Sequence, residues 1–176
     1  VQFQQDVPEG MFRLGHWPVE VFQDLLPPAP PISEGRPEMT LSGPIRRDRC
    51  EVSPAIWNDR LCLLDSVRPA SGGTADQYHL SLRDAETDEE LARFAQGYSL
   101  SCALVHDGVF HAFAARFEND NWNDVTLFRS SDLENWEQHL VIQQEENEHL
   151  FNSSVCAGPE GFVMAYESND PAYPAF

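Results

Sequence analysis

The sequence contains no lysine. Its 11 basic residues other than histidine are all arginines, and they stand against 29 aspartates and glutamates. The resulting formal net charge of −18 repels the phosphates of nucleic acids and of anionic lipid headgroups. We therefore expect neither nucleic acid nor membrane among the partners, and the charge favours neutral or cationic ligands.

Targeting and metal-binding signals are also absent from the sequence. Residues 1–10 have neither a basic n-region nor an apolar h-region, and the chain has no apolar run long enough to span a bilayer. The localisation is therefore left open between cytoplasmic and exported with the signal removed. The four cysteines, at positions 50, 62, 102 and 156, form no CxxC motif and no zinc-like Cys/His spacing. We expect reduced, buried cysteines, with a disulfide framework as the alternative.

Residues 98–142 carry the pattern that organises the chain. An apolar run over residues 100–105 meets the turn signal His106-Asp107-Gly108, and a second run over residues 109–117 completes a predicted hairpin. Two further runs, at residues 124–129 and 136–142, alternate in the same way. The whole stretch predicts one unit of four antiparallel strands.

The same pattern occurs twice more, beginning at Ser53 and at Ser153. An alignment without gaps puts these serines at the position of Ser101, with the hairpin turns at residues 58–59, 106–107 and 158–159. A repeat of about 50 residues is typical of β-propeller blades, which consist of four strands each. The sequence therefore predicts an all-β fold of propeller blades, and a β-sandwich is the alternative.

The repeat divides the chain into an arm and three blades. Residues 1–48 form an N-terminal arm and proline-rich linker, 50–97 a first blade with strands near 51–57, 60–68, 77–83 and 90–95, 98–148 a second blade, and 149–176 the first half of a third. Two and a half blades leave sheet edges open, which is a liability for a soluble protein. We therefore expect the remaining blades to come from another fragment, chain or copy.

Two sequence elements carry a resemblance to a known family. The turn Ser130-Ser131-Asp132-Leu133-Glu134-Asn135-Trp136, of the form S-x-D-L-x-x-W, and inner hairpins like SPAIWNDRLCLLDS at residues 53–66 resemble the five-bladed propellers of the glycoside hydrolase family 43 and family 32 superfamily. The resemblance implies hydrolysis of O-glycosyl bonds. It also implies a structural turn, in which Asp132 bonds backbone amides of its own turn and Trp136 packs between blades.

Chemistry is expected at the face that carries the loops between second and third strands and the links between blades. The predicted substrate-binding residues at this face are Arg49, Arg68, Arg116, Trp122, Asp124, Asn152 and Asn169. Arginines, acids, amides and an aromatic ring suit a neutral sugar, through hydroxyl hydrogen bonds and ring stacking. In the alignment Arg68 and Arg116 hold matching positions, where a buried ion pair between blades is the alternative role.

Glycosidases need two carboxyl groups beside the scissile bond, and we identify Glu51 and Glu167 as candidates. Glu51 lies at the start of an innermost strand, where the resemblance places a catalytic carboxylate. Glu167 replaces Val67 and Ala115 in the alignment, and we expect it to be drier than Glu51. This would make Glu167 the general acid and Glu51 the base or nucleophile. For both residues, an arginine-paired structural acid is the alternative.

Other features keep further functions open. The superfamily carries acids on the inner strands of its first three blades, whereas this chain has Ser99, Ser101, Asn152 and Ser153 there. This departure favours a non-catalytic propeller that binds carbohydrate or protein, and an enzyme of other chemistry is a third possibility. No cofactor is expected. The oxygen-rich residues 118–124 and the acidic residues 145–148 predict solvated loops, with calcium binding at the former as the alternative.

Overall fold

A computed structural model describes residues 49–69, 73–119, 121–146, 148–158 and 161–169, and for residues 49 and 50 it describes the backbone only. The predicted arm and linker of residues 1–48 lie outside this part of the chain. Within it, every regular element is a β-strand except one short turn of 3-10 helix, Ala75–Gln77. The prediction of an all-β fold is confirmed.

The strands form two four-stranded sheets and one two-stranded hairpin, all antiparallel and each in chain order. The first sheet contains β1 Arg49–Trp57, β2 Arg60–Val67, β3 His79–Asp84 and β4 Glu90–Phe94. The second sheet contains β5 Tyr98–His106, β6 Val109–Glu118, β7 Asn121–Ser130 and β8 Glu137–Ile142. The last hairpin contains β9 Leu150–Gly158 and β10 Gly161–Ser168. None of the three sheets closes on itself.

The hairpin turns correct the alignment of the repeats. Asn58 and Asp59 both have positive φ, 47° and 62°, and so do Asp107 and Gly108, at 49° and 72°. Positive φ at both central residues is the geometry that two-residue hairpins prefer. The second turn is therefore Asp107-Gly108 and not His106-Asp107, because His106 already pairs with Val109. The first repeat is displaced by one residue from its predicted match.

A β-bulge recurs near the start of β1, β5 and β9, the first strand of each sheet in chain order. In the three hairpins, two residues of β1, β5 and β9 stand opposite a single residue of the partner strand. The first bulged residue has positive φ each time, at Glu51 (53°), Leu100 (57°) and Asn152 (32°). These residues are equivalent in the true register, which confirms a structural repeat across the three hairpins.

The sheets pack face to face through apolar side chains. The core between the first two sheets contains, among others, Trp57, Leu64, Leu80, Leu82, Phe110, Ala112 and Phe128. A smaller cluster joins the second sheet to the last hairpin, with Phe113, Val125 and Leu150 at its centre. Strand β6 supplies residues to both clusters, because its sequence is apolar on both faces. The first strands of the three sheets, β1, β5 and β9, contact one another in that order.

The turn between β7 and β8 has the predicted structural role. Asp132 accepts the backbone amides of Glu134 and Asn135 at 2.9 and 2.8 Å. These bonds, first those from Asn135, hold the pKa of Asp132 far below its usual range. Trp136 stacks on Phe94 of the first sheet, with ring centroids 3.6 Å apart. The predicted bonds of Asp132 are confirmed, and Trp136 packs between the two four-stranded sheets.

Candidate functional site

Strand direction brings the predicted site residues to one end of the sheets. The strands β1, β5 and β9 begin at this end, and β2, β6 and β10 finish there. The connections β2–β3, β4–β5, β6–β7 and β8–β9 therefore share it with the three bulges. We call this end the rim face and the other end the opposite face.

Four side chains of the rim face form a connected group, which we call the rim cluster: Glu51, Arg68, Ser99 and Trp122. The Arg68 guanidinium contacts the Glu51 carboxylate at 2.5 Å (Nη2 to Oε2) and donates from Nε to Ser99 Oγ at 2.9 Å. Its Cζ atom lies 5.4 Å from the centroid of the Trp122 ring, which is a cation–π distance. The Glu51 and Arg68 side chains are each 30% exposed, so ligands have access to them.

Local backbone features place each member of the rim cluster. Glu51 sits on the bulge of β1, and Arg68 follows the last residue of β2. Trp122 is the second residue of β7, and its ring packs against Phe117 at 4.8 Å and Tyr78 at 5.5 Å between centroids. The aromatic contacts fix the indole in place below the guanidinium. The cluster therefore offers an acid, a cation and an aromatic ring side by side.

Glu167 belongs to a second group, in the last hairpin. Its Oε2 atom accepts a hydrogen bond from Asn152 Nδ2 at 2.8 Å. Asn152 is the repeat equivalent of Glu51, so this pair spans β9 and β10 as the Glu51–Arg68 pair spans β1 and β2. Glu167 is exposed, as Glu51 is, so the expected burial of Glu167 is not found. Strand β10 is the outermost strand of its sheet in the described part of the chain, so no further strand covers it there.

The corrected register also changes the matches of two predicted residues. Glu167 pairs with Phe151 just beyond the bulge, where the equivalents are Ser66 and Ala115, not Val67. Ser66 is buried and lies 3.0 Å from Ser101 (Oγ to Oγ). This position of the repeat is therefore already polar in the first hairpin, and Glu167 does not replace an apolar residue there.

Arg68 and Arg116 do not occupy matching positions. Arg116 pairs with Tyr98 as Val67 pairs with Arg49, so its repeat equivalent is Val67. Arg116 forms its ion pair with Glu118 at 3.1 Å, whereas Arg68 forms its own with Glu51. The two arginines thus have separate partners and separate places at the rim face.

The remaining predicted residues have other contacts. Asp124 accepts the backbone amide of Gln144 at 3.0 Å and so fastens the link after β8. The backbone amide of Asn169 donates to the backbone carbonyl of His149 at 2.9 Å. The side chain of Arg49 lies outside the described atoms. The structure therefore groups Glu51 with Arg68 and Trp122, and Asn152 with Glu167.

Sequence reasoning missed a shallow depression on the rim face, with a volume of about 410 Å³. Its lining includes Asp76, Gln96, Tyr98, Arg116, Phe117 and Glu118. Gln96-Gly97 in the short link between β4 and β5 is the sequence signal for a close turn there, and Gly97 indeed has a φ of 88°. The ring of Phe117 belongs both to the depression and to the aromatic contacts of Trp122.

The acidic link before β9 is only partly solvated. Glu148 is buried, and it accepts hydrogen bonds from Ser168 Oγ at 2.6 Å and from the Glu145 amide at 3.0 Å. The prediction of a solvated run is wrong for this residue. Its carboxylate ties the link to the end of β10.

The cysteine side chains in the described part of the chain differ in exposure. Cys62 is buried, Cys102 is half-buried and Cys156 is exposed, and all three are free thiols. Burial raises the pKa of the Cys62 and Cys102 thiols. The expectation of buried cysteines is wrong for Cys156.

Among the described side chains, no group of three or more His, Cys, Asp or Glu residues is placed to hold a metal ion. No helix in the same ranges is long and apolar enough to cross a membrane.

Comparisons of the chain with protein-family models, with curated proteins and with solved structures found no match. The features of the chain that bear on its function are therefore the rim cluster, the Asn152–Glu167 pair and the depression.

Proposed function

We propose that this chain is part of a five-bladed β-propeller that hydrolyses glycosidic bonds in a neutral oligo- or polysaccharide. The observation that carries the proposal is the position of Glu51 and Glu167, one in the first hairpin and one in the third. Glu51 lies on the bulge of its hairpin and Glu167 lies just beyond the bulge of its own, both on the rim face, and each is held by a partner across its hairpin. Paired carboxyl groups are the requirement that most glycoside hydrolases share.

The stacking of the sheets supports the propeller part of the proposal. Three hairpins with equivalent bulges follow one another, their first strands are in contact, and Phe94 and Trp136 stack between neighbouring sheets. Repeated sheets with inner strands side by side are the arrangement of propeller blades. The remaining blades come from another fragment, chain or copy.

The two acids have different partners, and we give them different roles in this proposal. Asn152 orients the exposed Glu167 carboxyl, which we assign as the general acid that protonates the leaving oxygen. Arg68 orients Glu51, which we assign as the base or nucleophile. The half-buried Trp122 ring lies beside Arg68 and adds an aromatic surface of the kind that stacks on sugar rings.

A non-catalytic propeller that binds carbohydrate or protein is the second candidate. Two observations favour it: the Glu51 carboxylate is already engaged in an ion pair with Arg68, and the equivalent bulge position in the middle hairpin holds the buried Leu100. A hydrolase that resembles the superfamily would carry an acid on that inner strand. In this alternative the rim cluster binds its ligand without turnover.

Release of reducing sugar separates the two candidates. The substrates are a panel of aryl glycosides and neutral plant or algal polysaccharides, and the variants are Glu51→Gln and Glu167→Gln. We expect each change to lower the rate by about a hundredfold or more. Glu134→Gln is the matched control, because Glu134 is an exposed acid in the β7–β8 turn at the opposite face.

The two roles also predict different substrate dependence. Glu167→Gln should spare substrates with good leaving groups more than those with poor ones, and Glu51→Gln should impair both alike. Wild-type turnover in both variants would overturn the hydrolase proposal. Sugar binding by the wild-type protein without turnover on any substrate of the panel would establish the non-catalytic candidate instead.

A further inference from the structure

The depression on the rim face is shallow, but its volume is that of a small-molecule site. Its volume of about 410 Å³ lies within the range of roughly 300–1,000 Å³ that is usual for ligand pockets. The first sheet contributes Asp76 and Gln96 to its lining, and the second sheet contributes Arg116, Phe117 and Glu118. A ligand bound here would contact two neighbouring sheets at once.

An aromatic contact connects the depression with the rim cluster. Phe117 lines the depression, and its ring lies 4.8 Å from the ring of Trp122. Trp122 in turn lies beside the guanidinium of Arg68, which holds Glu51. An extended ligand that leaves the rim cluster across these two rings therefore reaches the depression.

The polar groups of the depression suit hydroxyl groups better than an anion. Arg116 and Glu118 form an ion pair with both side chains nearly half exposed, at 45% and 46%. Gln96 is exposed and donates to the backbone carbonyl of Asp76 at 2.8 Å, which fixes its amide at the edge of the depression. Carboxylates accept hydrogen bonds from hydroxyl groups and a guanidinium donates to them. The lining contains two acids, Asp76 and Glu118, and one arginine, Arg116, so its net negative charge disfavours an anionic ligand.

We propose that this depression is a second sugar subsite, continuous with the rim cluster, so that the ligand is a neutral oligosaccharide of several units rather than a single sugar. The inference rests on the proposed function and adds to it a second binding site on the rim face. The aromatic rings of Phe117 and Trp122 carry the sugar chain between the subsites. The Arg116–Glu118 pair and Gln96 bind its hydroxyl groups at the far end.

Calorimetric titration with linear xylo-, manno- and cello-oligosaccharides tests the inference. For the best-bound series, we expect the wild-type protein to bind the hexasaccharide about tenfold more tightly than the disaccharide, which corresponds to two or so hydrogen bonds. The double variant Arg116→Gln/Glu118→Gln should lose this preference for length. Gln96→Ala, at an exposed position, should reduce it independently.

The matched control is the double variant Arg129→Gln/Glu137→Gln. It removes an ion pair of the same chemistry with 47% and 61% exposed side chains, at the end of β7 that lies on the opposite face. This variant should keep the wild-type preference for the hexasaccharide. Circular dichroism and thermal unfolding of each variant confirm that the comparison is made between folded proteins.

The outcomes separate this inference from the proposed function. The subsite is overturned if Arg116→Gln/Glu118→Gln and Gln96→Ala both keep the wild-type length preference. Lost turnover in Glu51→Gln and Glu167→Gln would then still support the hydrolase. Lost length preference, together with wild-type turnover in the two glutamate variants, supports the subsite and overturns the catalytic roles. If neither the hexasaccharide nor the disaccharide of any series binds, the subsite is overturned, and the turnover assay alone decides the hydrolase proposal.

Discussion

Asp84 shows how a single carboxylate can organise a turn. It accepts the backbone amides of Thr87 and Glu86 at 2.8 and 2.9 Å, and Arg60 Nη2 lies 2.6 Å from its Oδ2 atom. The Thr87 amide first, and then Arg60 and the Glu86 amide, lower the pKa of Asp84 to about 2 against the opposing effect of burial. These groups all favour the charged form.

We predict that this residue makes stability dependent on pH in the acid range. The pKa of an aspartate is about 3.9 in an unfolded chain. Because the pKa of Asp84 in the folded protein is lower, its contribution is fully present above about pH 4 and is lost as the pH falls toward 2. Asp84→Asn should therefore destabilise the protein more at pH 6 than at pH 3, as measured by urea unfolding.

Asp59→Asn is the control for this measurement. Asp59 is exposed in the β1–β2 turn, and asparagine tolerates its positive φ of 62°. An equal loss of stability in Asp84→Asn at both pH values would show that the charge of Asp84 does not stabilise the turn.

Single residues were predictable where their partners are local in sequence. Asp132 bonds amides only two and three residues away, so its turn could be recognised from Ser130 to Trp136 alone. The exposure of Glu167 was mispredicted from its neighbours, because burial at the edge of a sheet depends on which strand packs next. The partner of Arg68 is 17 residues distant, and Ser99 is 31 residues distant. No local pattern predicts those contacts.

Among the elements, the β7–β8 turn offers the clearest test of packing. Trp136 stacks on Phe94, contacts Phe110 at 6.1 Å between centroids and donates from its indole nitrogen to the Leu133 carbonyl at 3.1 Å. Trp136→Ala should lower the free energy of unfolding by about 3 kcal/mol, because it leaves a cavity between two sheets. Urea unfolding measures the loss, and Trp136→Phe should restore part of the stacking. Unchanged stability with abolished sugar binding would place this residue in a binding role instead.

The β5–β6 turn allows a backbone effect to be separated from packing. Gly108 has a φ of 72°, and a Cβ atom added there would have no other atom within 4 Å. Gly108→Ala should therefore cost about 1 kcal/mol through backbone strain alone. Gly158→Ala is the matched control, because Gly158 lacks a positive φ and an added Cβ atom would make ordinary contacts. Equal effects of the two substitutions on the unfolding midpoint would contradict this explanation.

The strands themselves were predicted well, and their register less so. Alternating apolar residues bounded by turn signals locate a strand to within a few residues, as for β3 and β7. The sequence His106-Asp107-Gly108 offers two possible two-residue turns, and the alignment chose the wrong one. That shift of a single residue gave Arg68 and Arg116 equivalent positions in the repeat, although the true equivalent of Arg116 is Val67.

For the molecule as a whole, charge is the dominant physical property. Every arginine whose side chain is described forms an ion pair with an acid: Arg60, Arg68, Arg83, Arg93, Arg116 and Arg129. The net charge of −18 is thus carried by surplus carboxylates that repel one another. Self-repulsion of this kind opposes the compact state.

We predict that sodium chloride stabilises the protein. The screening length falls from about 10 Å at 0.1 M to about 3 Å at 1 M, so repulsion among surplus carboxylates weakens over this range. The urea midpoint should therefore rise with salt. The double variant Glu134→Gln/Glu146→Gln removes two exposed acids and should show a smaller rise. A midpoint that falls with salt would mean that the arginine ion pairs outweigh the repulsion.

The three bulges have a consequence for how such a molecule can evolve. The backbone makes the same left-handed step at Glu51, Leu100 and Asn152, although one side chain is acidic, one apolar and one an amide. The step is set by strand pairing rather than by the residue that occupies it. The three bulges therefore share one backbone conformation and accept different side chains. A point substitution at the exposed Glu51 or Asn152 can give the rim face new chemistry without a new fold, so activity can be gained or lost in a lineage while the architecture persists.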